Sequence, residues 1–177
     1  MPTALITGIS GFTGRYLAKV LEEKDWTVFG LSHTDAGPNS IACNLTDQEA
    51  VHKAVDEIQP DYVVHLAALS FVGHPDKEAF YRVNVLGTLN LLQALGSLDA
   101  SPRKVLVASS ANVYGANAQE VIDEGICPAP VNHYACSKLA MEHMVRTWFD
   151  RLPIVLTRPF NYTGVGQDDV VAGRRAQ

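Results

Sequence analysis

The chain has 177 residues, of which 47% are hydrophobic and 19% charged, and its formal net charge is −5. This size allows one domain with a substantial core, and the negative charge without basic runs argues against a nucleic-acid partner. No apolar stretch approaches the roughly 20 residues that span a bilayer, so we expect no membrane segment.

The N-terminal pattern predicts a strand, a glycine turn and a helix. Residues Thr3–Thr7 form an apolar run of strand type, and Gly8-Ile-Ser-Gly11-Phe-Thr-Gly14 follows, then a helical pattern from Tyr16 to Leu21. Glycines in such a turn let the backbone approach a pyrophosphate, while the helix N-terminus adds N–H donors. A turn that only packs a helix on a strand would have the same backbone, so residues further along the chain must distinguish it from a phosphate-binding turn.

Strand-like and helical patterns alternate along the rest of the chain. We predict strands near Thr27–Ser32, Tyr62–Leu66, Lys104–Ser109 and Ile154–Thr157, and helices near Asp47–Glu57, Glu78–Leu95 and His133–Asp150. Several strands are almost continuously apolar, which implies cover on both faces and a parallel sheet. Right-handed crossovers then give an α/β fold with a doubly wound parallel sheet, whose ligand crevice lies beyond the strand C-terminal ends.

A tyrosine and a lysine four residues apart are the strongest chemical signal. Tyr134-Ala-Cys-Ser-Lys138 places a phenol and an ammonium on one helix face. A free phenol ionises at about pH 10, and a neighbouring cation favours the phenolate, so the pair predicts a usable acid. The same spacing also occurs on surface helices that have no chemistry.

Motifs at the predicted strand ends resemble one enzyme family. They are Gly8-x-x-Gly11-x-x-Gly14, His65-Leu-Ala-Ala68, Asn84, Ser109-Ser110-Ala-Asn-Val-Tyr114-Gly115, Tyr134-x-x-x-Lys138 and Arg158-Pro-Phe-Asn161. Their order resembles that of the extended short-chain dehydrogenases/reductases acting on nucleotide sugars, and implies a Rossmann fold. The phrases HLAALSFVG, NVLGTLNLLQAL, YACSKLAME and RPFNYTGVGQ look most like the GDP-6-deoxy-D-mannose (GDP-4-keto-6-deoxymannose) reductases, with the GDP-mannose 4,6-dehydratases next.

The resemblance implies roles in carbonyl reduction. Tyr134 would protonate the sugar oxyanion as hydride arrives, Lys138 would lower its pKa and hold the nicotinamide ribose, and Ser110 would donate to the carbonyl oxygen. Asn161 would touch the sugar or the nicotinamide. The resemblance places Asn112 near the substrate, at the position where the related dehydratases carry a Glu. That Glu removes the proton beside the carbonyl, which an amide cannot do. Reduction or epimerisation therefore fits better than dehydration, unless Asn112 is a plain loop residue.

The resemblance also implies a nicotinamide cofactor, which we expect to be NADP(H), with NAD as the alternative. The implied cofactor residues are Gly8, Gly11, Phe12, Gly14, Ser32, His33, Asn44, Leu45, Leu66, Ala67, Ala68, Tyr134 and Lys138. In an NAD-binding site, an acidic residue at the end of the second strand would accept hydrogen bonds from the ribose 2′-hydroxyl, and its charge would repel a 2′-phosphate. In this chain Ser32 occupies that position, followed by His33, and neither excludes a phosphate. Asp35 lies three residues too late unless the turn folds it back, and no Arg is present to grip a phosphate. Asn44 replaces the Asp that the family usually places beside the adenine.

Other candidates have plainer interpretations. We expect His65 to be a strand residue with a satisfied ring, and expect no metal site, because neither a carboxylate nor a second His lies at ligand spacing. Asn84 would support the active site through its carbonyl and a water, or would be an exposed helix residue. Arg158 fits a structural role as well as a functional one. Arg174 and Arg175 could reach a substrate phosphate, although a solvated helix face is favoured.

We expect residues 1–177 to form an NAD(P)-binding domain with most of the catalytic residues. In the resembling family a smaller substrate-binding lobe follows, which we expect after residue 177, so the chain alone should turn over a nucleotide sugar weakly or not at all. The 78–95 and 133–150 helices would pair two copies as a homodimer. A UDP-hexose 4-epimerase, a GDP-mannose 4,6-dehydratase-like enzyme and a non-catalytic nucleotide-sensing domain remain alternatives.

The cysteines indicate a reducing compartment. Cys43, Cys127 and Cys136 form neither a CxxC motif nor a paired framework, so we expect free, buried thiols. Because the chain begins with a strand pattern, it leaves no room for a signal peptide, and we expect a cytoplasmic protein.

Overall fold

Six parallel strands form the centre of the structure. The computed structural model describes residues 1–34, 37–116, 121–161, 163–165 and 167. The strands are β1 (Thr3–Thr7), β2 (Thr27–Ser32), β3 (Ser40–Ala42), β4 (Tyr62–His65), β5 (Lys104–Ala108) and β6 (Ile154–Thr157). They lie in the order β3-β2-β1-β4-β5-β6, and every neighbouring pair is parallel. The strand order reverses at β1, as in a doubly wound Rossmann sheet, so the predicted fold class is confirmed.

Helices connect these strands at the positions that the apolar periodicity predicts. They are α1 (Phe12–Glu22), α2 (Gln48–Ile58), α3 (Glu78–Tyr81), α4 (Gly87–Gly96) and α5 (His133–Arg146). A π-helical turn (Arg82–Leu86) joins α3 to α4, and a 3₁₀ turn (Ala111–Tyr114) follows β5. Neither turn was predicted, nor was β3, and α5 ends at Arg146 rather than at Asp150.

The core is thicker on one face of the sheet than on the other. The larger cluster packs α2, α4 and α5 against the strands, with Val55, Leu91 and Met141 among its fully buried members. A smaller cluster, centred on Ile6 and Val28, packs α1 against β1 and β2. Buried residues alternate with half-buried or exposed ones along β4 and β5, so the expected cover on both faces is incomplete in the described residues.

The three cysteines are free, as predicted, but they are not all buried. Cys43 is buried and Cys136 is half-buried, whereas Cys127 is exposed, so the expectation of burial is wrong there. Cys127 follows a surface turn in which the Ile126 N–H donates to the Asp123 carbonyl, outside any strand or helix. In the part of the chain that the structure describes, no helix has both the length and the apolar character needed to cross a membrane.

Candidate active site

A cleft of about 530 Å³ opens at the C-terminal edge of the sheet. Its walls come from the β1–α1 turn, the segments after β4, β5 and β6, and one face of α5. The lining residues are Gly8, Gly11, Phe12, Thr13, Gly14, Leu66, Ala68, Ser70, Ala108, Ser109, Ser110, Tyr134, Lys138, Pro159, Phe160, Asn161, Thr163 and Gln167. The cleft therefore brings together the predicted glycines, all three predicted catalytic residues and Asn161. The sequence reasoning did not name Thr13, Ser70, Thr163 and Gln167 as site residues, although each lies within one of the motifs quoted above.

The glycine turn holds the backbone in a conformation that side chains would block. Gly8 has φ +73°, and a Cβ there would lie 2.9 Å from backbone atoms of Ala67. A Cβ on Gly14 would lie 2.4 Å from the Gly8 carbonyl oxygen. Helix α1 starts directly after this turn, and its N-cap residue, Gly11, supplies no side-chain cap. The turn thus presents a helix N-terminus with partial positive charge, which suits the pyrophosphate of a dinucleotide.

Tyr134 and Lys138 lie one turn apart on α5, and both line the cleft. The Asn132 side chain caps this helix by accepting from the Ala135 N–H at 2.9 Å. Lys138 is only 3% exposed, and its ammonium donates to the Ala108 carbonyl at 2.6 Å. Burial lowers the pKa of Lys138 to about 8, with Glu142 acting in the opposite direction. Lys138 is therefore mostly protonated near neutral pH, so a cation lines the same cleft as the Tyr134 side chain.

Ser110 lies at the C-terminal end of β5 and begins the 3₁₀ turn. Its hydroxyl oxygen accepts from the Asn112 N–H at 3.2 Å. A hydroxyl that accepts one bond keeps its own proton for another acceptor, so Ser110 can donate into the cleft. Asn112 itself is exposed in the 3₁₀ turn, and it is not on the cleft wall.

Residues predicted for the adenine half of a dinucleotide lie beyond the cleft wall. Ser32 is 6% exposed, and its hydroxyl shares a 2.9 Å hydrogen bond with that of Ser10. His33, the next residue, is exposed. The Asn44 side chain accepts from both the N–H and the hydroxyl of Thr46.

Two further predicted residues pack against the fold rather than line the cleft. Leu45 is 8% exposed, and its Cβ lies close to Gly87, whereas the backbone of Ala67 backs the glycine turn. Asp35, Arg174 and Arg175 lie outside the described residues.

His65 and Asn84 form a hydrogen-bonded layer behind the cleft. The His65 ring contacts the hydroxyls of Thr7 at 2.6 Å and Thr88 at 2.8 Å, so its prediction as a satisfied strand residue is confirmed. Burial, with a smaller effect of the Lys138 charge, lowers the pKa of His65 to about 3, so this ring is neutral near pH 7. The Asn84 carbonyl accepts from the Thr88 hydroxyl at 2.7 Å.

The side chain of Asn84 links two walls of the cleft. It accepts from the Leu69 N–H at 2.8 Å, and it donates to the Leu69 carbonyl at 3.1 Å and to the Ser137 hydroxyl at 2.9 Å. Asn84 is 1% exposed, so the alternative of an exposed helix residue is wrong. Its place in the π-helical turn brings it against the loop after β4. Asn84 thereby ties that loop to the stretch of α5 between Tyr134 and Lys138.

A buried ion pair beside Lys138 was missed by the sequence reasoning. The Arg158 guanidinium donates to the Glu142 carboxylate through Nε at 2.9 Å and Nη2 at 2.6 Å. Burial opposes ionisation of Glu142, but the hydrogen bonds from Arg158 and Ser109, together with the charges of Arg158 and Arg146, outweigh it and hold the pKa of this carboxyl below its ordinary value. The available signal was the position of Glu142, four residues after Lys138 on the helix.

A parallel sheet of this order, with a glycine turn and a Tyr–Lys pair at its C-terminal edge, defines a dinucleotide-binding domain of the dehydrogenase type. Over residues 4–175 the chain matches the NAD dependent epimerase/dehydratase family, and it belongs to that family. The resemblance inferred from the motifs is confirmed.

Two curated relatives and one solved structure show how much of such proteins the chain represents. It is 39% identical to GDP-6-deoxy-D-talose 4-dehydrogenase of Aggregatibacter actinomycetemcomitans, over 93% of this chain and 54% of that protein. It is 36% identical to GDP-6-deoxy-D-mannose reductase of Pseudomonas aeruginosa, over 93% and 53%. The structure of RMD from Pseudomonas aeruginosa complexed with NADPH has a TM-score of 0.80 at 34% identity, covering 96% of this chain and 57% of that one. The chain thus spans about half the length of these relatives.

Proposed function

We propose that this chain is the cofactor-binding and catalytic half of an NADP(H)-dependent oxidoreductase. Its reaction is reduction of the 4-keto group of a nucleotide 4-keto-6-deoxy sugar, with GDP-4-keto-6-deoxymannose as the substrate. The observation that carries the proposal is the presence of Ser110, Tyr134 and Lys138 on the wall of one cleft, beside the glycine turn. Both curated relatives are named for GDP-6-deoxy sugars, which supports this substrate class.

The residues of the cleft suit a carbonyl reduction. A nicotinamide cofactor supplies the hydride when it is bound. The Ser110 hydroxyl donates to the carbonyl oxygen and stabilises the negative charge that develops there. The Tyr134 phenol holds the proton that this oxygen takes up, and the Lys138 ammonium favours the phenolate that remains.

The residues at the end of β2, beyond the cleft wall, support NADP(H) over NAD. The hydroxyls of Ser10 and Ser32 meet at the end of β2, where an NAD-selective site would carry a carboxylate. Hydroxyl groups can donate to a 2′-phosphate, whereas a carboxylate would repel it. The NADPH in the Pseudomonas aeruginosa structure agrees with this choice, while the family description names NAD.

A 4-epimerase acting on UDP-hexoses is the main alternative, because it needs the same three groups. Dehydration is disfavoured, since the position of the base is held by an amide, Asn112. A purely sensing domain has no need of a lysine buried beside a tyrosine.

The test has two stages. We expect residues 1–177 to bind NADPH, measured by its fluorescence, and to show weak or no turnover. A chimera that adds the C-terminal half of the Pseudomonas aeruginosa reductase should consume NADPH with GDP-4-keto-6-deoxymannose, followed by absorbance. Interconversion of UDP-hexoses without NADPH consumption would overturn the reductase proposal in favour of the epimerase.

We further propose a homodimer through the 78–95 and 133–150 helices, in a reducing compartment such as the cytoplasm. Tyr81 and His133 hold α3 beside α5 through a 3.2 Å contact between the Tyr81 hydroxyl and the His133 Nδ1 atom. Leu86, at the end of the π-helical turn that follows Tyr81, is 51% exposed and would be available to pack against a second copy. A monomeric mass in solution at micromolar concentration would refute the dimer. The free thiols support the compartment.

A further inference from the structure

Three segments that border the cleft meet behind it in a buried ionic group, which we call the Glu142 cluster: Glu142, Arg158 and Tyr114. Glu142 lies on α5, Arg158 directly follows β6, and Tyr114 ends the 3₁₀ turn. The side chains of Glu142 and Arg158 are 1% and 14% exposed. Besides its bonds to Glu142, Arg158 donates through Nη1 to the Tyr114 hydroxyl at 2.8 Å, and its guanidinium lies 4.9 Å from the centre of that ring.

The cluster lies next to Lys138. Glu142 is one helical turn after Lys138, so both side chains are on the same buried face of α5. The titratable groups around the Lys138 ammonium in the described residues are Tyr134 and Glu142 on α5 and His65 on β4, of which His65 is neutral. Glu142 is therefore the anion that faces this ammonium, and Arg158 and the exposed Arg146 are the cations that face Glu142.

We propose that Glu142 and Arg158 are paired positioning residues for Lys138: Glu142 keeps Lys138 in the ammonium form, and Arg158 fixes and partly neutralises Glu142. The inference rests on the proposed role of Lys138 in catalysis. It gives the buried pair a use beyond stability, since a buried ion pair is often no more stable than an apolar replacement of similar volume.

A charge role and a packing role of the ion pair predict different effects when Glu142 or Arg158 is removed. If the pair only holds segments together, removal of either partner has the same effect on the cleft. If the pair sets the charge around Lys138, the effects are opposite in sign. Glu142→Gln removes the nearby anion and lowers the pKa of Lys138, whereas Arg158→Gln exposes Lys138 to an unbalanced anion and raises it.

The experiment measures ionisation of Lys138 directly, by heteronuclear NMR of the lysine side chains of the 177-residue chain as a function of pH. The Lys138→Met spectrum assigns the signal. We expect the midpoint to fall by roughly one pH unit in Glu142→Gln and to rise by a similar amount in Arg158→Gln, about a tenfold change each in the ionisation equilibrium. Arg146→Gln is the matched control, because this arginine is exposed and its charge is screened, and its midpoint should equal that of the wild type.

Shifts in the same direction for both variants, or no shift in either, would overturn the proposal. The double variant Glu142→Gln/Arg158→Gln covers the case in which a single variant fails to fold, because neither member of the ion pair is left buried without its partner. Its midpoint should lie below that of the wild type, since the nearer charge is the anion, and an unchanged midpoint also overturns the proposal. The readout needs neither substrate nor cofactor, so its result stands apart from that of the reductase assay.

Discussion

Replacement of Lys138 by methionine should stabilise the folded chain near neutral pH. Burial lowers the pKa of this lysine from 10.5 to about 8. Each pH unit is worth about 1.4 kcal/mol, so keeping the ammonium in its buried site costs about 3 kcal/mol relative to the unfolded chain. Methionine has a similar length and no charge, and it would pack beside Met141, whose sulfur lies 3.8 Å from the Lys138 nitrogen.

The loss of one hydrogen bond opposes this gain. The Ala108 carbonyl accepts from Lys138 at 2.6 Å, and leaving a buried acceptor unsatisfied costs about 1–3 kcal/mol. The net gain in the free energy of unfolding near pH 7 should therefore be between about zero and 2 kcal/mol. The pH dependence is the sharper expectation. Between about pH 8 and 10.5 the unfolded wild type binds more protons than the folded one, so its stability rises with pH and the advantage of methionine falls by about 3 kcal/mol.

The assay is urea unfolding of both proteins at several pH values from about 7 to 10.5, followed by tryptophan fluorescence. Lys104→Met is the control, because Lys104 is exposed at the start of β5, and its effect should not change with pH. If the difference between Lys138→Met and the wild type were the same at both ends of this range, the reasoning about the buried charge would be refuted.

Three substitutions in and around the cleft separate chemistry from binding. Tyr134→Phe should reduce NADPH consumption by the chimera at least about 100-fold, far more than it weakens NADPH binding; a retained rate would remove Tyr134 as the acid. Ser32→Asp should weaken binding of NADPH at least about tenfold more than that of NADH in fluorescence titrations, and equal losses would contradict the proposed 2′-phosphate contact. Gly8→Ala should lower Tm by several degrees and weaken dinucleotide binding, because its φ is +73° and its Cβ would meet the Ala67 backbone. Gly37→Ala is the control, because it places a Cβ at φ +112° in open space and should leave dinucleotide binding intact. Equal losses of binding in both variants would argue against the glycine turn as the pyrophosphate site.

The fold could be predicted from the sequence because its signals are local. Apolar runs mark β1, β4 and β5, and the alternation of strands with helices determines the parallel arrangement. Strand β3 was missed because it has only three residues, none of them buried, at the edge of the sheet. The π-helical turn was missed because the apolar period of the helix continues through Arg82–Leu86 while the hydrogen bonding shifts.

The site could be predicted only in part, because only some of its signals are local in the sequence. The cleft residues lie in short motifs at strand ends, where the parallel sheet brings them to one edge. The charge environment of Lys138 depends instead on segments far apart in the chain, since Glu142 and Arg158 are 16 residues apart. No local pattern indicates that a lysine will be buried under a backbone carbonyl, so the low pKa of Lys138 became visible only in three dimensions.

The position of Tyr134 is determined by contacts that the YxxxK spacing does not include. Phe80 packs edge-on against its ring with centroids 6.5 Å apart, and Asn84 holds Ser137, whose hydroxyl donates to the Tyr134 carbonyl at 2.7 Å. Arg158 holds the next buried turn of the same helix through Glu142. A proton donor, the role proposed for Tyr134, must be held close to its acceptor, so these contacts from three other segments supply what the helix alone cannot. A chain with the same Tyr and Lys but without these partners would therefore carry the motif without its fixed geometry.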